Sequence, residues 1–212
     1  MIPLLLSAAV VLAIIVFAAV MVFIDRAAPA EEPAGPPQTV REDSHVLDDG
    51  GDGAVTVVEF LDFECEACGA VYPYVEDLRE QYAGEITYVV RYFPLPGHYN
   101  STNAAVAAEA AARQGKFEEM YHALFQSQSE WGEAGESRAE LFRSFAEQIG
   151  LDMAAYDRDV ADPETTARVK ADLAEGQALG VSRTPTFFIN DKPVDLRNWA
   201  DVTGAIDAEL AQ

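Results

Sequence analysis

The stretch AVTVVEFLDFECEACGA, residues 54–70, restricts the fold more than any other part of the chain. Its first ten residues are β-branched and aromatic, with apolar side chains on both parities. That pattern fits a strand covered on both faces, as in a central α/β sheet. A helix is expected next, from about Glu66 to Tyr82, kinked or restarted at Pro73. The strand-to-helix junction carries Cys65 and Cys68, the only two cysteines among 212 residues.

Later segments extend the pattern. EITYVVRYF at 85–93 reads as a second strand. Ala104, Ala107, Ala108 and Ala111 recur at helical spacing, as do Phe117, Met120, Tyr121, Leu124 and Phe125, and then Leu141, Phe142, Phe145 and Ile149. Asp162 is a cap, Pro163 suits a first turn, and Gly180 suits a stop. TFFIN, a turn at Asn190–Asp191, and KPVDL read as two strands before a last helix from about Asn198 to Leu210. The order implies an α/β fold: a small sheet with a helical insertion at about residues 98–160.

Residues 2–24 form an unbroken apolar run. A helix of that length rises enough to cross a hydrocarbon core of ~30 Å. Residues 1–26 are therefore expected to be a transmembrane anchor in the lipid bilayer, with a cleaved signal peptide as the rival, since APA at 28–30 resembles a cleavage site. Arg26 pulls weakly toward a cytoplasmic C-terminus, so placing the domain outside rests on thiol chemistry, not loop charge. Residues 27–44 are rich in Pro, Ala and acids and are expected to be an extended linker reaching up to about 55 Å. Residues 45–212 are left as the folded domain. The net charge of −22 repels phosphate backbones, which argues against nucleic-acid binding.

Two cysteines at this spacing have four uses. A zinc site needs four ligands, and His45, His98 and His122 are not spaced as a second pair. A copper relay usually separates its cysteines by three residues. A structural crosslink closing so small a loop stabilises little. Reversible thiol–disulfide exchange remains, and it needs neither metal nor cofactor. Cys65 ends a strand and opens a helix, where free N–H groups and the helix dipole favour the thiolate, which is the attacking form. Cys68, one turn further in, is placed to resolve a mixed disulfide.

The segment VVEFLDFECEACGAVYPYVEDL resembles the active-site region of DsbA-like oxidoreductases of the thioredoxin fold. RYFPLPGH, AAVAAEAAARQGKFEEMYHALFQSQSEW and ALGVSRTPTFFIN resemble later landmarks of that family, over roughly residues 45–211. The resemblance implies a thioredoxin core with an inserted helical domain. It places Glu59 as a buried acid beneath the site, moving a proton to or from Cys68. A carboxylate in a covered strand is costly unless paired or used, although an outward-facing edge Glu is the plain alternative. The resemblance also makes Thr184–Pro185 a cis-proline loop whose Thr184 backbone faces the disulfide and pairs with extended substrate. His98 reads as structural, and Trp131 and Trp199 as core or lid aromatics.

Between the cysteines stand Glu66 and Ala67, with no cation. A carboxylate ~6 Å from the sulfur nearly cancels the helix-start effect, so a weakly acidic Cys65 and a mild oxidant are expected. Because disulfide formation is productive mainly outside the cytoplasm, the expected role is a membrane-anchored extracytoplasmic oxidase. Its substrates are protein thiols, and a membrane redox partner recharges the pair. A reductase or isomerase of the same fold, or a tethered binding domain without activity, stays open, because redox potential decides the direction.

Overall fold

A computed structural model describes residues 36–212. Among them no helix is long and apolar enough to cross a membrane. The anchor expected at residues 2–24 and the linker stretch 27–35 lie outside the described residues.

β1 (His45–Asp48) and β2 (Val55–Leu61) precede α1 (Glu66–Gln81) and β3 (Ile86–Tyr92). Six helices follow: α2 (Ser101–Ala112), α3 (Phe117–Gln126), α4 (Gln128–Trp131), α5 (Ala139–Gln148), α6 (Met153–Ala161) and α7 (Pro163–Ala178). β4 (Thr186–Ile189), β5 (Lys192–Pro193) and α8 (Ala200–Leu210) complete the chain. The sheet order is β1-β3-β2-β4-β5. β2 and β3 are parallel, joined by the α1 crossover, while β1, β4 and β5 run antiparallel to their neighbours. The β4–β5 connection is two residues, Asn190 and Asp191, with φ of 45° and 64°. Those left-handed torsions match the twist of a tight hairpin, and Asn and Asp tolerate them best after glycine.

β2 is central, and both its faces are covered. Val57 and Leu61 join one core with Val75 and Leu78 of α1 and Val202 and Ile206 of α8. Val58 and Phe60 join the other, with Val89, Phe93, Val181 and Phe188. α7 covers this second face closely: a Cβ at Gly176 would lie 2.8 Å from the Phe93 ring. The alternation places Glu59 on the Val57 and Leu61 face, beneath α1. α1 runs unbroken across Pro73, so the expected restart does not occur. α2 buries a run of alanines against its neighbours, including Ala104, Ala107, Ala108 and Ala111, which lets helices approach closely.

The folded unit starts earlier than residue 45. Thr39 is buried, and Gln38 N–H donates to Glu175. The Arg91 guanidinium of β3, fully buried, donates to the Thr39 carbonyl, to Asp172 and to Glu175, each at 2.7 Å. Composition alone made residues 36–44 look like linker, but one buried Arg gives their backbone a partner. β1 also escaped the sequence reading: it is a four-residue edge strand followed by DGGDG. KPVDL shrinks to two strand residues.

Arg91→Met removes the fully buried cation that Asp172 and Glu175 share, leaving Asp172 to Arg168 and Glu175 to the more distant Arg41. It is expected to lower stability by about 3 kcal/mol, read from urea midpoints with the m-value checked.

Candidate active site

Cys65 is the N-cap of α1, with φ −67° and ψ 118°, and no side-chain oxygen serves the first turn. The first-turn N–H groups of Ala67 and Cys68 favour its thiolate. Cys65 keeps 7 % of its surface and Cys68 1 %, so both are buried, Cys68 the more completely. The thiols are not joined. Thr184–Pro185 is cis, and the Thr184 carbonyl lies 3.6 Å from Cys65 Sγ. The structure thus brings together Cys65, Cys68, Thr184 and Pro185, with Glu59 beneath them.

Charge divides the two thiols. The Cys68 thiol, hydrogen-bonded to Cys65, is the largest influence that lowers the Cys65 pKa from 9.0 to about 5; burial opposes it. Thr184 and the backbone N–H groups of Cys68 and Ala67 add to the lowering. The Thr184 hydroxyl is buried with no other partner, so it is free to donate to the thiolate. Burial drives the Cys68 pKa well above 9.0, and its bond to Cys65 and the nearby Glu59 raise it further. Cys65 therefore carries the charge, and Cys68 keeps its proton.

Glu59 is 2 % exposed and accepts a 2.5 Å hydrogen bond from the Tyr88 hydroxyl of β3. Burial pushes its pKa up to about 7, although the Tyr88 bond pulls it down. A carboxyl near neutrality beside a reluctant thiol suits proton exchange with Cys68.

The flanking acids differ from expectation. Glu64 is buried, and its carboxylate accepts from the backbone N–H of Asn100 at 2.5 Å and of Glu133 at 3.1 Å. Glu66 is exposed, in solvent that screens it. The near-cancellation expected for Cys65 fails for that reason: the local donors outweigh a solvated carboxylate. Asp62, also buried, accepts from Glu64 N–H (2.9 Å), Leu95 N–H (3.0 Å) and Ser101 Oγ (2.6 Å), and pairs with His98 Nδ1 (2.7 Å). Loss of solvation alone would lower the His98 pKa, but the Asp62 contact wins and raises it. His98 thus ties the loop after β3 to the site. Trp131 is fully buried, while Trp199 packs on Phe187 and the exposed Tyr74. Sequence reasoning missed Asp62, Glu64 and Gln128. The signal for the first two was present: both are acids interleaved with apolar residues at the end of a covered strand.

A thiol pair at a helix start, above a buried acid and beside a cis-proline on this sheet, defines a class of dithiol–disulfide exchange proteins. The family model described as Thioredoxin matches residues 51–208. The thioredoxin-like oxidoreductase from Silicibacter pomeroyi DSS-3 is 32 % identical, with TM-score 0.67, covering 81 % of this chain and 95 % of that one. Oxidised BdbD from Bacillus subtilis superposes with TM-score 0.72 at 21 % identity, over 84 % of this chain and 97 % of that one. The Na(+)/H(+) antiporter NhaA 1 of Mycobacterium sp. (strain KMS) is 36 % identical over 156 residues, 71 % of this chain and 24 % of the antiporter. This chain thus spans about a quarter of the length of that curated relative. The chain belongs to the thioredoxin family, and at 32 % identity it is similar to a thioredoxin-like oxidoreductase of nearly the same length.

Alkylation of reduced Cys65 should stay fast down to about pH 5 and fall about tenfold per unit below it, and Glu66→Ala should move that midpoint by less than about half a unit. Tyr88→Phe removes the bond that favours the charged carboxylate. The Glu59 pKa should then rise above about 7, visible as an upward shift of the corresponding limb in the pH–rate profile of exchange.

Proposed function

We propose that this oxidoreductase is a membrane-anchored, extracytoplasmic oxidase that forms disulfides in secreted or envelope proteins. The observation that carries this reading is the placement of Cys65 at the start of α1, beside Cys68 and the cis Thr184–Pro185 loop, where the neighbouring donors hold its thiol well below the ordinary range. A thiolate that stable makes the reduced pair the favoured state and the disulfide a good donor. The apolar run at residues 2–24 supports the anchor, and the anchor supports an oxidising compartment.

In the oxidised protein, a client thiolate attacks Cys65 Sγ. The Cys65–Cys68 bond breaks, a client–Cys65 bond forms, and Cys68 leaves as a thiolate that takes the Glu59 proton. A second client thiolate then attacks the client sulfur of the mixed disulfide. Cys65 leaves as a thiolate, and the low pKa makes it a good leaving group. The client loses two electrons and gains a disulfide, and the protein gains both electrons as a dithiol. The Thr184 backbone beside Sγ lies where an extended client segment pairs as an added strand. A membrane redox partner then withdraws the two electrons and restores the disulfide.

The equilibrium constant of the Cys65–Cys68 pair against glutathione tests the direction. A potential near that of strong oxidants, about −120 mV, together with oxidation of a reduced client that Cys65→Ser abolishes, is the expected result. A potential near the thioredoxin value of about −270 mV would make the protein a reductase instead.

A further inference from the structure

Gln128, the first residue of α4, reaches from the helical insertion onto the active-site loop. Its Nε2 donates to the Phe63 carbonyl at 2.8 Å and to the Cys65 carbonyl at 2.9 Å. The Cys65 carbonyl also accepts from Gly69 N–H at 3.0 Å, so two donors from different parts of the fold fix one oxygen. The Gln128 amide fits because residue 69 lacks a side chain: a Cβ there would lie 2.0 Å from Gln128 Oε1. Gly69 has no positive φ, so space is what glycine supplies at this point.

The clamp has a firm base. Trp131, at the other end of α4, is fully buried, donates to the Leu124 carbonyl at 3.2 Å and packs edge-on against Phe142. Glu64 adds a second grip, since both N–H groups its carboxylate accepts from belong to the segment between β3 and β4. Residues 63–65 are therefore held by the insertion through two carbonyls and one side chain. A sheet-to-helix junction without such holds can rotate about its peptide bonds, and a first-turn N–H···S contact weakens steeply with misalignment.

We propose that Gln128 is a positioning residue for the thiol chemistry, with Gly69 as its seat: it fixes the Cys65 peptide so that Sγ stays aligned with the first-turn N–H groups of α1. The helical insertion then governs the reactivity of a thiol that belongs to the thioredoxin core. This rests on Cys65 being the attacking and leaving sulfur, as proposed above.

The test uses the reduced full-length chain and follows thiolate absorbance against pH, with a glutathione equilibrium and a urea midpoint for each variant. Gln128→Ala and Gln128→Met both remove the donor, and Met keeps the bulk should Ala fail to fold. Each is expected to raise the Cys65 midpoint by about half to one unit, and to shift the glutathione equilibrium about three- to tenfold toward the protein disulfide. Gly69→Ala should move both readings the same way by displacing the amide. Gly69→Ala combined with Gln128→Ala should go no further than Gln128→Ala alone, because the seat matters only while the clamp is present. Folded Gln128 variants that titrate as wild type, or fully additive effects in the double variant, would overturn the proposal. A wild-type midpoint near that of an ordinary thiol would overturn the underlying reading of Cys65, whatever the variants do.

Discussion

Cys65 stands at the N-cap of α1, with no side-chain hydrogen bond from its neutral thiol to the first turn. Helix starts leave several N–H groups without partners, and oxygen-bearing side chains usually satisfy them. At Cys65 the acceptor is the thiolate, helped by the Cys68 thiol and by Thr184. Such an acceptor exists fully only in the reduced protein, because sulfur in a disulfide carries no charge to offer. The helix start is therefore better satisfied in the reduced protein than in the oxidised one, a difference that favours the dithiol. The crossover of α1 between two parallel strands, the covered central strand and the grip of the insertion all serve to hold this one junction still.

The two thiols are chemically identical on paper and are set apart by depth. One turn of helix separates a buried thiol from one buried more completely still. Desolvation dominates at the inner sulfur, while at the outer one the Cys68 thiol and the other donors outweigh it, so the pair shares a single negative charge placed on Cys65. The same face of β2 that buries Val57 and Leu61 carries Glu59 into this dry region, with Tyr88 as its hydrogen-bond donor. A buried acid that ionises around neutrality can take up a proton or release one with little cost in either direction.

Much of this was legible from residues alone. Hydrophobic parity placed β2 within two residues and β3 within one residue of their bounds, and the cap, proline and glycine signals framed α7. Cys65, Cys68, Glu59, Thr184 and Pro185 meet in space because β2 leads directly into α1 and pairs with β4, which Thr184 and Pro185 precede. What failed depended on partners remote in sequence. Glu64 is turned inward by the backbone N–H groups of Asn100 and Glu133, both more than thirty positions downstream. Residues 36–44 looked unable to fold because their carbonyls find Arg91 only when β3 is in place. Gln128 carries no local pattern at all; its meaning lies in two carbonyls more than sixty positions upstream.

The latch at Arg91 has one more implication. It grips Gln38 and Thr39, downstream of the APA at residues 28–30. A protease cutting at that tripeptide would detach residues 1–30 and leave every contact of the latch intact. Were residues 2–24 the anchor proposed above, tethered and shed forms would share the same folded body, and proteolysis alone would set which is present, without remodelling the fold.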